Sequence, residues 1–366
     1  MQEGGPRRVL VLSAPVGEGH VAAARVLAAR MRELWPAAEV REVEGTGGPG
    51  RDRLLRSSYA VTMRIAPRLY GLGYDLLVAH PRVAEFFKAV AAARLGRALA
   101  PLVADGPDLV VSTYPMTSGG LAWLRRRGRL PGRSVAVVTD VAVHPFWVWA
   151  DVDQTWTLLP ASRDQARAIA PAADVRVAPP AVDRRFRPGD RAAARAATGL
   201  APDAFVVLVT GGSLGFGGLE RVVDAVLAGG AQAVVLAGRN DRLRRRLEAR
   251  GLPAERLVVH GWTDRVPELV TASDVVLTTA GGMIATEALA AGRPVLFATP
   301  VPGHGRAGAE MTAAAGLALV CPTRTDVTTT IRGLIRDPAG MARLAAAAVD
   351  FGVADLDAAL RDLAAR

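Results

Sequence analysis

The first residues that could do chemistry lie in the run Gly17-Glu18-Gly19-His20-Val21-Ala22. Their spacing fits G-x-G-x-x-A between a strand-like run and a helix, a pattern that brings free backbone N–H groups close to a phosphate. Taken alone, it favours a dinucleotide-binding oxidoreductase with Glu42 or Glu44 on the ribose. The longer loop made by residues 13–16 and the size of His20 count against that interpretation. An imidazole facing a cleft at a helix N-terminus suits a general base, because the helix dipole disfavours its protonated form; the alternative is a histidine that only caps the turn.

A second junction of strand and glycine loop lies in the middle of the chain, at Gly211-Gly212-Ser213-Leu214-Gly215. It matches G-x-S-x-G, which would make Ser213 a hydrolase nucleophile with His260 or His304 as a partner. The strand opens a half-chain, however, and the doubled glycine favours backbone contacts with phosphate. We therefore expect this loop, together with the Ser213 hydroxyl, to bind a diphosphate.

The third junction is Ala280-Gly281-Gly282-Met283-Ile284-Ala285-Thr286-Glu287. Gly281 and Gly282 open a helix whose N-terminus can face a phosphate, and Glu287 lies about one turn inside it. A carboxylate there can accept hydrogen bonds from a ribose diol. The alternative is a surface glutamate on a packed helix.

The sequence does not favour a metal ion. Asp151-Val152-Asp153 is a D-x-D run that could hold a divalent cation, but a second copy occurs at Asp355-Leu356-Asp357 and no histidine or cysteine cluster supports either. Cys321 is the single cysteine, which excludes a disulfide framework and a thiolate metal cluster. We expect helix N-termini and glycine loops to neutralise a diphosphate instead.

Short apolar runs alternate with amphipathic stretches along most of the chain. This alternation predicts βαβ units and α/β sheets of parallel strands covered on both faces. Strands are expected at residues 8–12, 39–43, 108–112, 134–139, 154–159, 204–209, 232–237, 256–260, 273–277, 294–298 and 317–320. Helices are expected at residues 21–34, 219–227, 241–250 and 284–291.

A stretch rich in proline and glycine at residues 178–190 divides the chain, and each half begins with a strand that runs into a glycine loop. We expect two doubly wound, Rossmann-like domains, residues 1–183 and 184–366, that face each other across a cleft. In open sheets of this kind, ligands bind outside the carboxyl ends of the strands.

The chain of 366 residues has a formal net charge of +10, and the excess is concentrated. Residues 51–100, a helical stretch with interleaved aromatic side chains, hold nine basic and three acidic residues. Such a stretch is typical of a surface that binds anionic membranes rather than nucleic acid; the alternative is a solvated helical face with extended arginines. No signal peptide and no apolar run long enough to span a bilayer is visible. We expect a cytoplasmic protein, peripheral on the cytosolic face of the cell membrane.

Seven runs follow one another between residues 17 and 297, within a resemblance that covers about residues 8–340: GEGHVAAARVL, DLVVSTYPMTSGGLA, VVTDVAVHPFWVWADVDQTW, GGSLGFGGLE, VVLAGRNDRLRRRLE, VVHGWTDRVPELVTASDVVLTTAGG and MIATEALAAGRPVLF. In this order they resemble the monogalactosyldiacylglycerol synthase and processive diacylglycerol glucosyltransferase family. That family is related to the peptidoglycan N-acetylglucosaminyltransferase.

The resemblance implies a GT-B fold and an inverting glycosyltransferase. The enzyme would transfer a hexose from a UDP-sugar co-substrate to a lipid, with diacylglycerol as the expected acceptor. It would need no cofactor and no metal. It makes His20 the base that deprotonates the acceptor hydroxyl. It assigns these residues to the acceptor side: Gly17, Gly19, Asp140, His144 and Pro145. It assigns these to the donor: Gly211, Gly212, Ser213, Arg239, Trp262, Val266, Gly281, Gly282, Glu287, His304 and Arg306. Within that set, Trp262 and Val266 would receive uracil and Glu287 the ribose, and the 51–100 segment would face the membrane.

The chain departs from the family at residues 302–310. The family has a Gln/Glu-rich stretch followed by Asn there, which holds the sugar hydroxyls. His304 and Arg306 replace the expected amide and acid, which leaves the donor sugar open. A natural-product or polyprenyl acceptor, a UDP-sugar epimerase or hydrolase on the same fold, and a binding protein without catalysis are the alternatives.

Overall fold

In the computed structural model of the protein, the described residues are 5–15, 18–44, 67–213, 215, 217–352 and 354–365. Gly17 and residues 51–66 of the basic segment lie outside them, as do the side chains of residues 67–70. Contacts divide the chain into two compact units. One consists of Met1–Ala181 with Ala354–Arg366, and the other of Val182–Val353.

The sheet of the first unit has six parallel strands. They are β1 (Arg8–Ser13), β2 (Glu39–Glu44), β3 (Leu109–Ser112), β4 (Arg133–Val137), β5 (Gln154–Thr157) and β6 (Val175–Val177). Their order in the sheet is β2-β1-β3-β4-β5-β6. All side chains of β3 are buried, as expected for a central parallel strand with helices on both faces.

In the described residues before Val182, the first unit also has five helices and two 3-10 turns. The helices are α1 (Glu18–Leu34), α2 (Pro67–Ala79), α3 (Pro81–Leu99), α4 (Pro115–Arg126) and α5 (Pro160–Ile169), and the 3-10 turns are Ala100–Val103 and Pro145–Trp147. Proline stands in the first turn of α3, α4 and α5, where its fixed φ favours the helix and its missing N–H costs no bond. α3 packs closely on α4, since a Cβ added to Gly96 would lie 2.4 Å from the ring of Trp123.

The sheet of the second unit also has six parallel strands. They are β7 (Val206–Thr210), β8 (Gln232–Leu236), β9 (Leu257–His260), β10 (Val275–Thr278), β11 (Val295–Ala298) and β12 (Ala318–Cys321). Their order is β12-β11-β10-β7-β8-β9. The four central strands are buried along their whole length.

Among its described residues, the second unit has eight helices. They are α6 (Arg191–Thr198), α7 (Leu219–Ala228), α8 (Asp241–Glu248), α9 (Val266–Ala272), α10 (Met283–Ala290), α11 (His304–Ala314), α12 (Arg324–Arg336) and α13 (Pro338–Gly352). The hydrophobic core lies between the sheet and these helices, with Val222, Val226 and Ile331 among its buried members.

The expected α/β architecture is confirmed, because every strand expected from the sequence forms within two residues of its expected bounds. The added strand is β6, which has three residues and ends before the Pro179-Pro180 pair. A run that short gives too little pattern to separate it from the loop that follows.

The last helix, α14 (Leu356–Ala365), packs on the first unit. Arg30 pairs with Asp357 at 2.7 Å, and Arg133 donates from Nη1 to the backbone carbonyl of Leu363 at 2.9 Å. The sequence-based division at residue 183 assigned this segment to the C-terminal domain. It differs from the structure because these partners lie far apart in the chain and show no local pattern.

Candidate active site

His20 lies in the first turn of α1, after the loop that leaves β1. Its ring Nδ1 is 3.0 Å from Oγ1 of Thr139, which follows β4. Thr113, which follows β3, donates from its hydroxyl to the backbone carbonyl of His20 at 2.8 Å. Because β1, β3 and β4 are neighbours in one parallel sheet, their carboxyl ends meet at one edge. Two threonines from neighbouring strand ends thereby hold the ring and the backbone of the expected base.

Two aromatic side chains stand against the imidazole of His20. The ring of Tyr114 meets it edge-on with the centroids 5.2 Å apart, and the ring of Trp147 lies 5.9 Å away. Trp147 is fully buried, and its indole N–H donates to Oδ2 of Asp140 at 3.1 Å. Asp140 is therefore linked to His20 through Trp147, whose indole bonds to Asp140 and lies against the imidazole.

His144 caps the 3-10 turn Pro145–Trp147, since its Nδ1 accepts from the backbone N–H two residues ahead at 3.2 Å. Its ring lies 5.2 Å from the ring of Tyr74 on α2. Burial, and then the carboxylates of Asp140 and Asp75, raise the pKa of Tyr74 to about 12. The phenol of Tyr74 is therefore a neutral group on this side of the site. The structure thus gathers Asp140, His144 and Pro145 in one segment near His20.

Four residues around His20 were not expected from the sequence: Thr113, Tyr114, Thr139 and Trp147. The first three follow β3 or β4 within two residues, and that position was a usable signal, because ligand-binding residues gather at the carboxyl ends of parallel strands. Trp147 ends the 3-10 turn Pro145–Trp147, which does not directly follow a strand, and therefore offered no such signal. Gly19 lies in the first turn of α1 beside His20.

The glycine loop after β7 is held closely from the end of β8. Gly212 has a φ of +71°, and its N–H donates to Oγ1 of Thr210 at 3.2 Å. The carbonyl of Ser213 accepts from the backbone N–H of Arg239 at 2.9 Å. A Cβ on Gly238 would lie 2.5 Å from that carbonyl oxygen, so only glycine fits there. The loop is therefore a tight backbone turn at the carboxyl end of a central strand, as phosphate binding requires.

The third junction has the expected form. Gly281 and Gly282 have φ values of +69° and +66°, and Gly282 is the N-cap of α10. Oγ1 of Thr278 accepts from the N–H of Gly281 at 3.2 Å, which fixes the turn. Glu287 follows in the second turn of α10 and is only partly accessible.

The carboxyl of Glu287 has an unusual environment. Burial raises its pKa to about 7; the carboxylate of Asp183 acts in the same direction, and the guanidinium of Arg185 opposes both. Asp183 and Arg185 pair with each other at 3.0 Å, which weakens the net field of either on Glu287. A carboxyl with a pKa near 7 can both donate and accept hydrogen bonds at neutral pH.

Trp262 and Arg239 form a stacked pair. The guanidinium carbon of Arg239 lies 3.9 Å from the centroid of the Trp262 ring, and 58% of Trp262 remains exposed. Trp262 follows β9 closely, and Val266 begins α9 four residues later. An aromatic ring that has a cation on one face and stays more than half exposed is a platform on which a flat base can stack.

His304 and Arg306 lie in the first turn of α11, which follows β11. Gly303 precedes them with a φ of +83°, and Thr299 has a φ of +44°, so the connection is a sharp, strained turn. Arg306 is exposed and His304 half-buried. Since β7 to β11 belong to one parallel sheet, the expected donor residues all follow strand ends on the same edge.

The carboxylates of Asp151 and Asp153, the first acidic run considered for a metal, have other partners. Oδ2 of Asp153 accepts from the N–H and hydroxyl of Ser134 at 2.7 and 2.8 Å and pairs with Arg125. Asp151 lies 3.5 Å from Arg126. Within the part of the chain that the structure describes, no group of three or more His, Cys, Asp or Glu side chains could hold a metal ion.

Among the described residues, no helix is long and apolar enough to cross a bilayer.

The hydrolase alternative gains no support from the placement of His260. This residue ends β9, which is separated from β7 by β8. Burial, and then the charge of Arg265, lower the pKa of the His260 imidazole.

Two family models match the chain, one in each half. Residues 43–170 match Monogalactosyldiacylglycerol (MGDG) synthase, and residues 206–325 match the Glycosyltransferase family 28 C-terminal domain. The processive diacylglycerol beta-glucosyltransferase of Bacillus subtilis (strain 168) is 27% identical over 345 residues, covering 90% of this chain and 87% of that protein. The protein of the same name from Bacillus licheniformis is 25% identical over 342 residues with the same coverage of 90% and 87%.

Solved structures share the fold along nearly the whole chain. Anabaena Alr3699/HepE in complex with UDP has a TM-score of 0.59 at 16% identity and covers 98% of each chain. Acinetobacter baumannii MurG has a TM-score of 0.60 at 17% identity, over 98% of this chain and 99% of that one.

Two parallel six-stranded α/β units with glycine loops at their strand ends, and these neighbours, define the GT-B fold of glycosyltransferases. A family model matches in each half, and relatives match along nearly the whole chain, so the resemblance to the monogalactosyldiacylglycerol synthase and processive diacylglycerol glucosyltransferase family that the sequence runs predicted is confirmed.

Proposed function

We propose that the protein transfers a hexose from a UDP-sugar to the hydroxyl of diacylglycerol with inversion, and that His20 is the general base. The observation that carries this proposal is the contact between Nδ1 of His20 and Oγ1 of Thr139 at 3.0 Å. It fits the tautomer in which Nδ1–H donates to the threonine and Nε2 holds the lone pair that accepts a proton. The relatives named diacylglycerol glucosyltransferases along nearly the whole chain support the acceptor.

The proposed step balances without a cofactor. The acceptor oxygen forms a bond to the anomeric carbon while the bond from that carbon to the UDP oxygen breaks. The acceptor proton passes to His20, and UDP leaves with the electron pair. The backbone N–H groups of the Gly211–Ser213 loop and the N-terminus of α10 would stabilise the charge that develops on the diphosphate.

The donor nucleotide would lie along the carboxyl edge of the second sheet. The stacked pair of Trp262 and Arg239 would receive uracil beside Val266, and Glu287 would bind the ribose hydroxyls. Gly281 and Gly282 would lie against the phosphates. His304 and Arg306 would reach the sugar from the first turn of α11, and their side chains are the feature of this chain that would select the hexose.

The acceptor would come from a membrane surface that contacts α2 and α3. We call the following seven side chains on these helices, which are 40–66% exposed, the apolar patch: Leu72, Leu76, Val78, Val83, Phe86, Phe87 and Val90. Among the described residues, the apolar patch contains most of the large hydrophobic side chains that are exposed. Such a concentration of exposed apolar side chains is typical of an interaction surface. Arg82, Arg94 and Arg97 are exposed on the same helix pair and would attract anionic lipid.

One residue that was counted with this basic surface does not belong to it. Lys88 is 3% exposed, because it lies on the inward face of α3. The apolar patch favours a lipid acceptor over the epimerase, hydrolase and natural-product alternatives, none of which requires a membrane surface. We propose a peripheral protein on the cytosolic face of the cell membrane.

The test is a screen of UDP-glucose, UDP-galactose and UDP-N-acetylglucosamine with diacylglycerol in anionic vesicles, following UDP release and the glycolipid formed. We expect one donor to release one UDP for each hexose transferred to the lipid, only when diacylglycerol is present. UDP release that ignores the lipid would indicate a hydrolase, and a lack of release from every donor would contradict the proposal.

A further inference from the structure

Lys88 is the only lysine of the chain, and it is buried in the middle of α3. It shares the inward face of that helix with Ala84, Ala92 and Gly96, which follow one another at a spacing of four residues. The opposite face of the helix carries part of the apolar patch. An ammonium group is costly to bury unless hydrogen bonds and charge compensate for the lost water, so its partners matter.

Three partners surround the ammonium group. Nζ of Lys88 donates to Oε1 of Glu85 at 2.7 Å and to the backbone carbonyl of Val148 at 3.2 Å, and it lies 4.6 Å from the centroid of the Trp149 ring. The carboxylate of Glu85 belongs to the same helix and is 62% exposed. The other two partners belong to the segment that follows the 3-10 turn. Lys88 therefore joins α3 to that segment.

This segment, taken as residues 147–149 with the last residue of the 3-10 turn, makes further contacts. The indole N–H of Trp149 donates to the carbonyl of Phe146 at 2.7 Å, and the ring fills the space over Gly119 of α4, where an added Cβ would lie 2.6 Å from it. Trp147, two residues before Trp149, stands against His20 and bonds to Asp140. A displacement of Trp149 would therefore move Trp147 and change its contact with the imidazole of His20.

We propose that Lys88 is a positioning residue for sugar transfer. It joins α3, which carries part of the apolar patch, to the segment whose Trp147 contacts His20. It thereby sets the position of the base relative to the lipid surface. The inference rests on the proposed function in taking His20 as the base and the apolar patch as the lipid contact. It adds a residue that reaches neither substrate.

The kinetic test compares Lys88→Met, which keeps the length of the side chain and removes its charge and donors, with Lys88→Arg. At saturating donor and lipid, we expect Lys88→Met to lower kcat by about tenfold or more, because small displacements of a catalytic group are costly, while the donor KM stays within about twofold of wild type. Lys88→Arg should recover part of the loss. A Lys88→Met enzyme that is folded and keeps kcat within about twofold of wild type would overturn the proposal.

Arg94→Met is the matched comparison, because it removes one cation from the exposed side of the same helix. We expect it to act mainly on the apparent lipid KM on anionic vesicles, which it should raise, whereas Lys88→Met should act mainly on kcat. Trp149→Phe serves if Lys88→Met does not fold, and it should lower kcat in the same way. Where both fold, the double variant should lose no more than the worse single variant. Independent, multiplying losses would contradict a shared role.

A spectroscopic readout separates this inference from the proposed function. Lysine labelled with ¹³C at Cε gives one side-chain resonance, since the chain has one lysine. The ring of Trp149 should displace it from the position of free lysine, and Trp149→Phe, which exchanges the indole for a smaller ring, should reduce that displacement. A wild-type resonance at the free position would overturn the tie between α3 and the segment. Absence of lipid-dependent transfer by the wild type would instead contradict the proposed function alone.

Discussion

Nδ1 of His20 lies 3.0 Å from the hydroxyl oxygen of Thr139, although the two residues are 119 positions apart in the chain. The contact joins the first turn of α1 to the residue that follows β4, two strands away from β1 in the sheet. A general base needs a fixed ring and a defined tautomer, and a hydroxyl on the nitrogen that does not react provides both. The following predictions begin from this pair.

Thr139→Val removes the hydroxyl and keeps the shape of the side chain. We expect kcat to fall by about tenfold with little change in either KM, because the lost hydrogen bond orients the base rather than a substrate. Steady-state kinetics of UDP release will measure it. Thr155→Val is the matched control, since the buried Oγ1 of Thr155 on β5 has no hydrogen-bond partner among the residues that the structure describes, and its removal should leave kcat and stability unharmed. Equal losses in the two variants would contradict a specific role of Thr139.

Glu287 should make the free energy of unfolding depend on pH. Its pKa is raised from 4.5 to about 7 in the folded protein, so the folded state holds the proton more tightly than the unfolded state. The resulting stabilisation is complete below about pH 4.5 and is lost as pH rises to about 7, an effect of up to about 3 kcal/mol. Urea unfolding at pH 4.5 and 7.5 should show this decline in wild type and a smaller decline in Glu287→Gln. The same pH dependence in both proteins would contradict the raised pKa.

Trp262→Ala should weaken donor binding without unfolding the protein, because 58% of the ring is exposed. Stacking of a base on an aromatic ring contributes about 1–3 kcal/mol, so we expect the donor KM and the Kd for UDP to rise by about tenfold or more. Titration calorimetry with UDP will measure it. Leu252→Ala, at another exposed apolar residue of the second unit, is the comparison and should bind UDP as the wild type does. Unchanged affinity in Trp262→Ala would remove the ring from the site.

The double variant Phe86→Ser/Phe87→Ser should lose membrane binding. The two rings are 66% and 52% exposed and contact each other at 5.7 Å, which makes them the largest apolar surface of the patch. We expect binding to anionic vesicles to fall by about tenfold or more, because burial of each aromatic side chain contributes about 1.5–3 kcal/mol. Co-sedimentation will measure it, with Ile335→Ser on α12 of the second unit as the control. Full binding by the double variant would place the membrane contact elsewhere.

The fold could be predicted largely from the sequence, because parallel strands covered on both faces are continuous apolar runs such as residues 206–209 of β7. The glycine loops could be predicted for a similar local reason. Gly212, Gly281 and Gly282 adopt positive φ, and glycine pairs after a strand mark such turns.

The surroundings of His20 could not be predicted in the same way. Thr113 and Thr139 reach it from other strands, and no local spacing connects them to the loop of His20. The burial of Lys88 was missed although its spacing from Ala84 and Ala92 offered a signal, because a charge on a helix is normally assigned to solvent. The docking of α14 on the first unit depends on long-range partners such as Arg30 and Asp357.

The most direct test of the central claim is the rate of diacylglycerol-dependent UDP release by wild type and His20→Ala, measured with the best donor and with UDP affinity as the check on folding. If His20 is the base that activates the lipid hydroxyl, the variant will bind UDP normally and release it at least about a hundredfold more slowly. A folded His20→Ala enzyme that transfers sugar to the lipid at nearly the wild-type rate would contradict the claim.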